Sequence, residues 1–154
     1  ARTMKSIVTI PVPNVCMLKF SPCGVMLLAV ALGTDHDHIS HISTVTVCKW
    51  RDRKILYSGA STGRPVYDCS FLSGGRFGLA GDGFVHFWSP RGDAKADATS
   101  DENQAYERQV GVFGRVKSSE IMTCISSLVD IGKSDGGGDL AVTGSTGGNL
   151  CLWE

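Results

Sequence analysis

The chain lacks an excess of either charge. Lysine and arginine together number 15, aspartate and glutamate also number 15, and the formal net charge is +0. A dedicated binder of nucleic acids or anionic membranes carries a basic excess. The longest unbroken apolar run, residues 25–32, is far shorter than the roughly 20 residues that span a bilayer. We therefore expect neither a nucleic acid nor a membrane as partner.

Paired cysteine motifs are also missing. The six cysteines stand singly, without a C-x-x-C pair, and most lie in apolar, strand-like runs. This usage favours free buried thiols in a reducing compartment over a disulfide framework. The sequence thus predicts a cytoplasmic protein.

Helical periodicity is nearly absent, whereas glycine is abundant, with 19 residues. Short runs of β-branched, aromatic and aliphatic residues recur between clusters of glycine, serine, aspartate and proline. Such runs are typical of strands joined by tight turns. The sequence predicts an all-β fold.

The three tryptophans mark an internal repeat. They end runs at residues 44–50, 82–88 and 147–153, and each follows an aliphatic residue by three positions: Val47, Val85 and Leu150. Upstream runs cover residues 15–24, 66–75 and 121–128, and runs that end in glycine lie between, at 26–33, 76–81 and 140–144. We expect fourth strands at 54–57 and 109–113, and a strand at 6–10 that completes a preceding unit. Strand alternation predicts that Val85 and Phe87 face one neighbouring sheet and Trp88 the other.

Four strands in each unit of about 40–45 residues is the pattern of a WD40 β-propeller blade. The predicted blades cover residues 14–58, 65–114 and 120–154. A propeller ring needs roughly four to eight blades, so we expect the chain to be part of a longer protein that supplies the others. The residues predicted to build the blades are Trp50, Trp88, Trp153, Phe20, Phe71 and the turn pair Asp82 and Gly83.

A narrower resemblance covers residues 84–154. Its motifs are Phe87-Trp88, Gly111-Val-Phe-Gly-Arg-Val116, Ile121-Met-Thr-Cys124 and the run 143–153. Together they are similar to the propeller region of the echinoderm microtubule-associated protein-like family. The resemblance implies a non-catalytic scaffold that binds tubulin or microtubules through propeller loops, in the cytoplasm, on the cytoskeleton, or in a cilium or flagellum.

Two other functions stay open. A WD40 scaffold of an axonemal, trafficking or ubiquitin-ligase complex would share the fold, because fold does not fix the partner. An enzyme is the third hypothesis, either a propeller hydrolase or a metal-dependent enzyme. The metal ligands would lie in the His-rich hairpin, residues 34–43, which contains Asp35, His36, Asp37, His38 and His41. A loose hairpin loses conformational entropy when it binds a metal. We expect a solvated hairpin, no metal, no cofactor and no catalysis.

Other motifs also have structural interpretations. Ser61 stands in a G-x-S-x-G match, but a strand-like run follows where a nucleophile elbow needs a helix. We therefore expect an inter-blade turn at Ser61. His86 lies in a core-like strand two residues before Trp88, and we expect it to be a packed, hydrogen-bonded side chain. The polar insert at residues 91–108 is predicted to be a surface loop that a partner could order.

Overall fold

The computed structural model describes residues 6, 8–34, 41–91, 106–114, 119–128 and 140–154. Within these ranges the chain forms eleven strands and one short 3₁₀ turn, Ser73–Gly75. The strands are β1 (Val15–Phe20), β2 (Met26–Thr34), β3 (His41–Lys49), β4 (Lys54–Ala60), β5 (Val66–Phe71), β6 (Phe77–Gly81), β7 (Phe84–Pro90), β8 (Tyr106–Val110), β9 (Met122–Leu128), β10 (Leu140–Ser145) and β11 (Leu150–Trp153). The all-β prediction is confirmed.

The strands form three antiparallel sheets in chain order. The first sheet has the order β1-β2-β3-β4, the second β5-β6-β7-β8, and the third β9-β10-β11. Each is a simple meander, because every strand pairs with its neighbour along the chain. This arrangement is compatible with part of a β-propeller.

The sheets stack face to face. One core cluster joins the first and second sheets, and it includes Leu28, Val47, Leu79 and Trp88. A smaller cluster of Ala80, Val85, Met122 and Ile125 joins the second and third sheets. The first strands of the sheets are neighbours, with β5 in contact with both β1 and β9. The second sheet is therefore covered on both faces.

Strand β7 shows why the second sheet can be apolar on both faces. Val85 and Phe87 belong to the cluster with the third sheet, whereas Trp88 belongs to the cluster with the first. Because successive side chains of a strand point to opposite faces, adjacent residues of β7 pack against different sheets. The predicted division of these three side chains is confirmed.

The fourth strand of the second sheet begins earlier than predicted. It covers Tyr106–Val110, not residues 109–113, so three residues of the predicted surface loop at 91–108 are in a strand. The reason is packing: the Tyr106 ring lies 5.1 Å from Tyr57 and 5.3 Å from Phe77 between centroids, and its hydroxyl donates to Gly75 O at 3.3 Å. Residues 92–105 lie outside the described part of the chain.

Two other predicted boundaries differ. Part of the His-rich hairpin is in fact strand, since Thr34 pairs with His41 and Gly33 with Ile42. Residues 35–40, which include most of the candidate ligands of the metal-dependent alternative, lie outside the described residues. The predicted strand at residues 6–10 is not observed at Ser6 or at residues 8–10, because these have no sheet partner among the described residues and the chain turns where Val12 N donates to Ile10 O.

The part of the chain that the structure describes contains no helix with the length and hydropathy of a membrane span.

Candidate functional site

The three tryptophans occupy three different environments. Trp88 is buried and stacks on Phe77, with 5.2 Å between ring centroids. Trp153 is half-buried against the second sheet, and its Nε1 donates to Thr143 Oγ1 at 2.9 Å. Trp50 follows β3, and its Nε1 donates to Gly24 O at 2.8 Å. Trp88 and Trp153 thus pack between sheets, whereas Trp50 ties together two turns of the first sheet.

The other predicted blade residues divide between the core and the turns. Phe71 is buried, with its ring edge-on to Phe77 at 6.5 Å. Phe20 is 61% exposed and touches Trp50 on the side of the first sheet that no described residue covers. Asp82 and Gly83 form the turn between β6 and β7, where Gly83 has φ 68°. A positive φ favours glycine, which explains that residue at this position.

The aliphatic residues three positions before each tryptophan are equivalent in the three sheets. Val47 and Val85 are fully buried against the sheet that follows. Leu150 projects from the outer face of the third sheet and is 81% exposed. The same register therefore recurs in each sheet, although only two of the three positions are covered here.

Asp68 links all three sheets, which the sequence did not indicate. It lies on β5, accepts a hydrogen bond from the backbone N–H of Ile125 on β9 at 3.0 Å, and forms an ion pair with Lys19 on β1 at 3.3 Å. Its side chain is 22% exposed. Hydrogen-bonded carboxylates in such partly buried sites contribute more than exposed ion pairs. Asp68 thus connects the second sheet to the first and the third.

A groove of about 370 Å³ opens at the end of the sheets where the chain passes from β4 to β5. One wall is this connection, and the other is formed by β7, the end of β8 and the residues after it. The lining includes Thr62, Arg64, Phe84, His86, Val110 and Phe113. Its size is in the range of ligand-binding clefts. We call it the β4–β5 groove.

Two arginines give the β4–β5 groove its charge. Arg64 lines it, and its Nη1 donates to Asp82 O at 3.3 Å. Arg108 lies beside it on β8, where its Nη1 donates to Ser61 O at 3.0 Å. Neither forms an ion pair with a carboxylate within the described ranges. The described residues at the groove therefore include two positively charged side chains and aromatic rings.

His86 stands in the wall of this groove. Burial lowers its pKa below the ordinary 6.5, and the positive charge of Arg108 lowers it further. Its ring lies 4.8 Å from Phe84 and 5.9 Å from Trp88 between centroids. Its Nδ1 is buried without a hydrogen-bond partner in the described part of the chain. The predicted packing of His86 is observed, but the hydrogen bond at Nδ1 is not.

Ser61 lacks the geometry of a nucleophile. It lies between β4 and β5, so a strand follows it where the nucleophile elbow needs a helix. The residue is 1% exposed, and its Oγ has no partner among the described side chains. The turn predicted here is a connection between two sheets, in which Ser61 is buried while Gly63 and Arg64 are exposed.

The cysteines are all free, as predicted, but only two of them are buried. Cys48 and Cys69 are in the core, whereas Cys16, Cys23 and Cys124 are exposed. Burial raises the pKa of the Cys69 thiol to about 12. At Cys23 a hydrogen bond with Ser21 lowers the thiol pKa. The expectation of buried thiols is wrong for the exposed three, which lie in strands or a turn facing solvent.

No group of three or more histidine, cysteine, aspartate or glutamate side chains within the described ranges is arranged to hold a metal. In a comparison with protein families, no family model matches the chain.

Proposed function

We propose that this chain supplies consecutive blades of a WD40-type β-propeller, which acts as a non-catalytic scaffold and binds tubulin or microtubules through its loops. The observation that carries the proposal is the stack of three meander sheets in chain order, with their first strands adjacent. Repeat architectures bury apolar faces by stacking neighbouring units in this way.

The equivalent residues support the same repeat. Val47 and Val85 are each covered by the next sheet, and Leu150 occupies the corresponding place on the third sheet. Leu150 and Leu152, which is 64% exposed, form an apolar face on the third sheet. The equivalent faces of the first and second sheets are each covered by the sheet that follows. Further blades of a longer protein would cover this face and the outer face of the first sheet.

The surroundings of Ser61 and His86, two residue types that often act in catalysis, support a non-catalytic role. Ser61 is inaccessible, and His86 is paired with no carboxylate among the described residues. Nucleophilic catalysis requires a nucleophile and a base within hydrogen-bond reach, with the base oriented by a third group. Rigid display of loops requires none of these.

The choice of tubulin as partner rests on the resemblance of residues 84–154 to the echinoderm microtubule-associated protein-like family. Within that range the structure has β7 to β11 as parts of the second and third sheets. The loops between these strands would present the binding surface.

Co-pelleting of the full-length protein with polymerised tubulin, over a series of salt concentrations, tests this function. We expect saturable pelleting that weakens as salt screens the charges. Folded protein that stays in the supernatant at low salt would contradict the microtubule assignment. The scaffold of another complex would then be the better hypothesis, with a pull-down of its partners as the next experiment.

A further inference from the structure

We propose that the β4–β5 groove binds an acidic, extended peptide segment of a partner protein. A carboxylate of that segment pairs with Arg64, and an apolar side chain beside it packs on Val110 and Phe113. The proposal goes beyond the scaffold function and does not depend on tubulin being the partner, because it rests on the groove alone.

Charge complementarity selects an anionic ligand. Arg64 and Arg108 stand at the groove, and no aspartate or glutamate is among the described residues that line it. The other N–H groups of the Arg64 guanidinium have no partner within the described ranges. A guanidinium presents its donors as a planar fork that matches a carboxylate. Arg64 is thus available for a bidentate pair.

The apolar surface of the groove favours a ligand that carries apolar groups as well as a negative charge. Val110 is 61% exposed and the Phe113 ring is half-buried, whereas Phe84 lies at the base of the groove and is 5% exposed. A cleft of this volume accommodates one or two side chains with their backbone. An inorganic anion would pair with the arginines and leave this apolar surface in water.

The edge of the second sheet favours an extended peptide. β8 is the last strand of that sheet, so its outer backbone edge has no strand partner among the described residues. Exposed sheet edges bind extended segments through main-chain hydrogen bonds, while adjacent pockets select the side chains. Val110 ends β8 and also lines the groove, which connects the edge to the pocket.

The test uses the full-length protein and a short fluorescein-labelled peptide in which glutamates flank one phenylalanine. Binding is followed by fluorescence anisotropy. We expect saturable binding that Arg64→Gln weakens at least about tenfold, the loss typical of one charge-assisted hydrogen bond. Arg53→Gln is the matched control, because Arg53 is exposed in the turn at the other end of β4, and it should leave affinity unchanged.

A second variant, Val110→Ser, probes the apolar contact. It should weaken binding of the phenylalanine peptide more than binding of a peptide in which alanine replaces the phenylalanine. Circular dichroism confirms that each variant is folded. The proposal is wrong if the labelled peptide does not bind, if its glutamine counterpart binds equally well, or if Arg64→Gln has no effect. Displacement of the peptide by inorganic phosphate at matched ionic strength would also overturn it, since the groove would then be a small-anion site.

Discussion

At the scale of single residues, Asp68 connects the three sheets. It joins β1, β5 and β9 through one ion pair and one hydrogen bond to a backbone N–H. Since Lys19 is 47% exposed, solvent screens its ion pair. The larger contribution therefore comes from the hydrogen bond to Ile125.

Asp68→Ala should lower the free energy of unfolding by about 2 kcal/mol, because it leaves the Ile125 N–H without its acceptor. Asp68→Asn retains an oxygen acceptor and should lower the free energy of unfolding by a smaller amount than Asp68→Ala. Lys19→Ala should cost under about 1 kcal/mol, since it removes only the exposed ion pair. Urea unfolding of the three variants measures these differences. An Asp68→Ala protein as stable as the parent would refute the role given to this carboxylate.

His86 makes stability depend on pH. Its pKa is lowered in the folded protein by burial and by Arg108, so folding opposes its protonation. The stabilisation is present above the ordinary pKa of 6.5 and is lost as the pH falls through the lowered folded-state pKa. Urea unfolding at pH values above and below 6.5 should show this loss in the parent and a smaller one in His86→Phe. Equal pH dependence in the two proteins would exclude His86 as its source.

At the scale of elements, the hairpin of β6 and β7 depends on a close approach at Gly81. A Cβ at this position would meet the Phe84 ring and the backbone oxygen of Pro65. Backbone cannot move aside as a flexible side chain can, so Gly81→Ala would force the β4–β5 connection away from the hairpin.

We expect Gly81→Ala to lower the free energy of unfolding by about 1–3 kcal/mol. Gly63→Ala is the matched control, because a Cβ there meets no atom within 4 Å, and it should change stability by under about 0.5 kcal/mol. Thermal or urea unfolding compares them. If the two variants lose equal stability, the crowding at Gly81 does not limit the hairpin.

Elements with a strong local pattern were predictable, and those defined by distant packing were not. Residues 84–88 alternate between two apolar faces, so the sequence indicates both the strand and its orientation. Tyr106 stands in a polar run, and only its contacts with Tyr57 and Phe77 explain why β8 begins there. The same limit applies to Asp68, whose hydrogen-bond partner is 57 residues away, and to the β4–β5 groove, whose walls come from separate parts of the chain.

At the scale of the whole molecule, two apolar sheet faces are not covered by any described residue. On the first sheet, Leu18 and Phe20 are 56% and 61% exposed. On the third, Leu150 and Leu152 are 81% and 64% exposed. Contiguous apolar surfaces of this kind mark interaction sites. In the propeller that we propose, these two faces meet the blades on either side.

The most direct test of the stacked array is a crystal or cryo-electron microscopy structure of the full-length protein. We expect a four-stranded sheet packed on Leu150 and Leu152, another packed on Leu18, and a closed ring that contains these three sheets. Solvent or a helix on these faces, with no ring, would contradict the propeller and with it the scaffold function that rests on it.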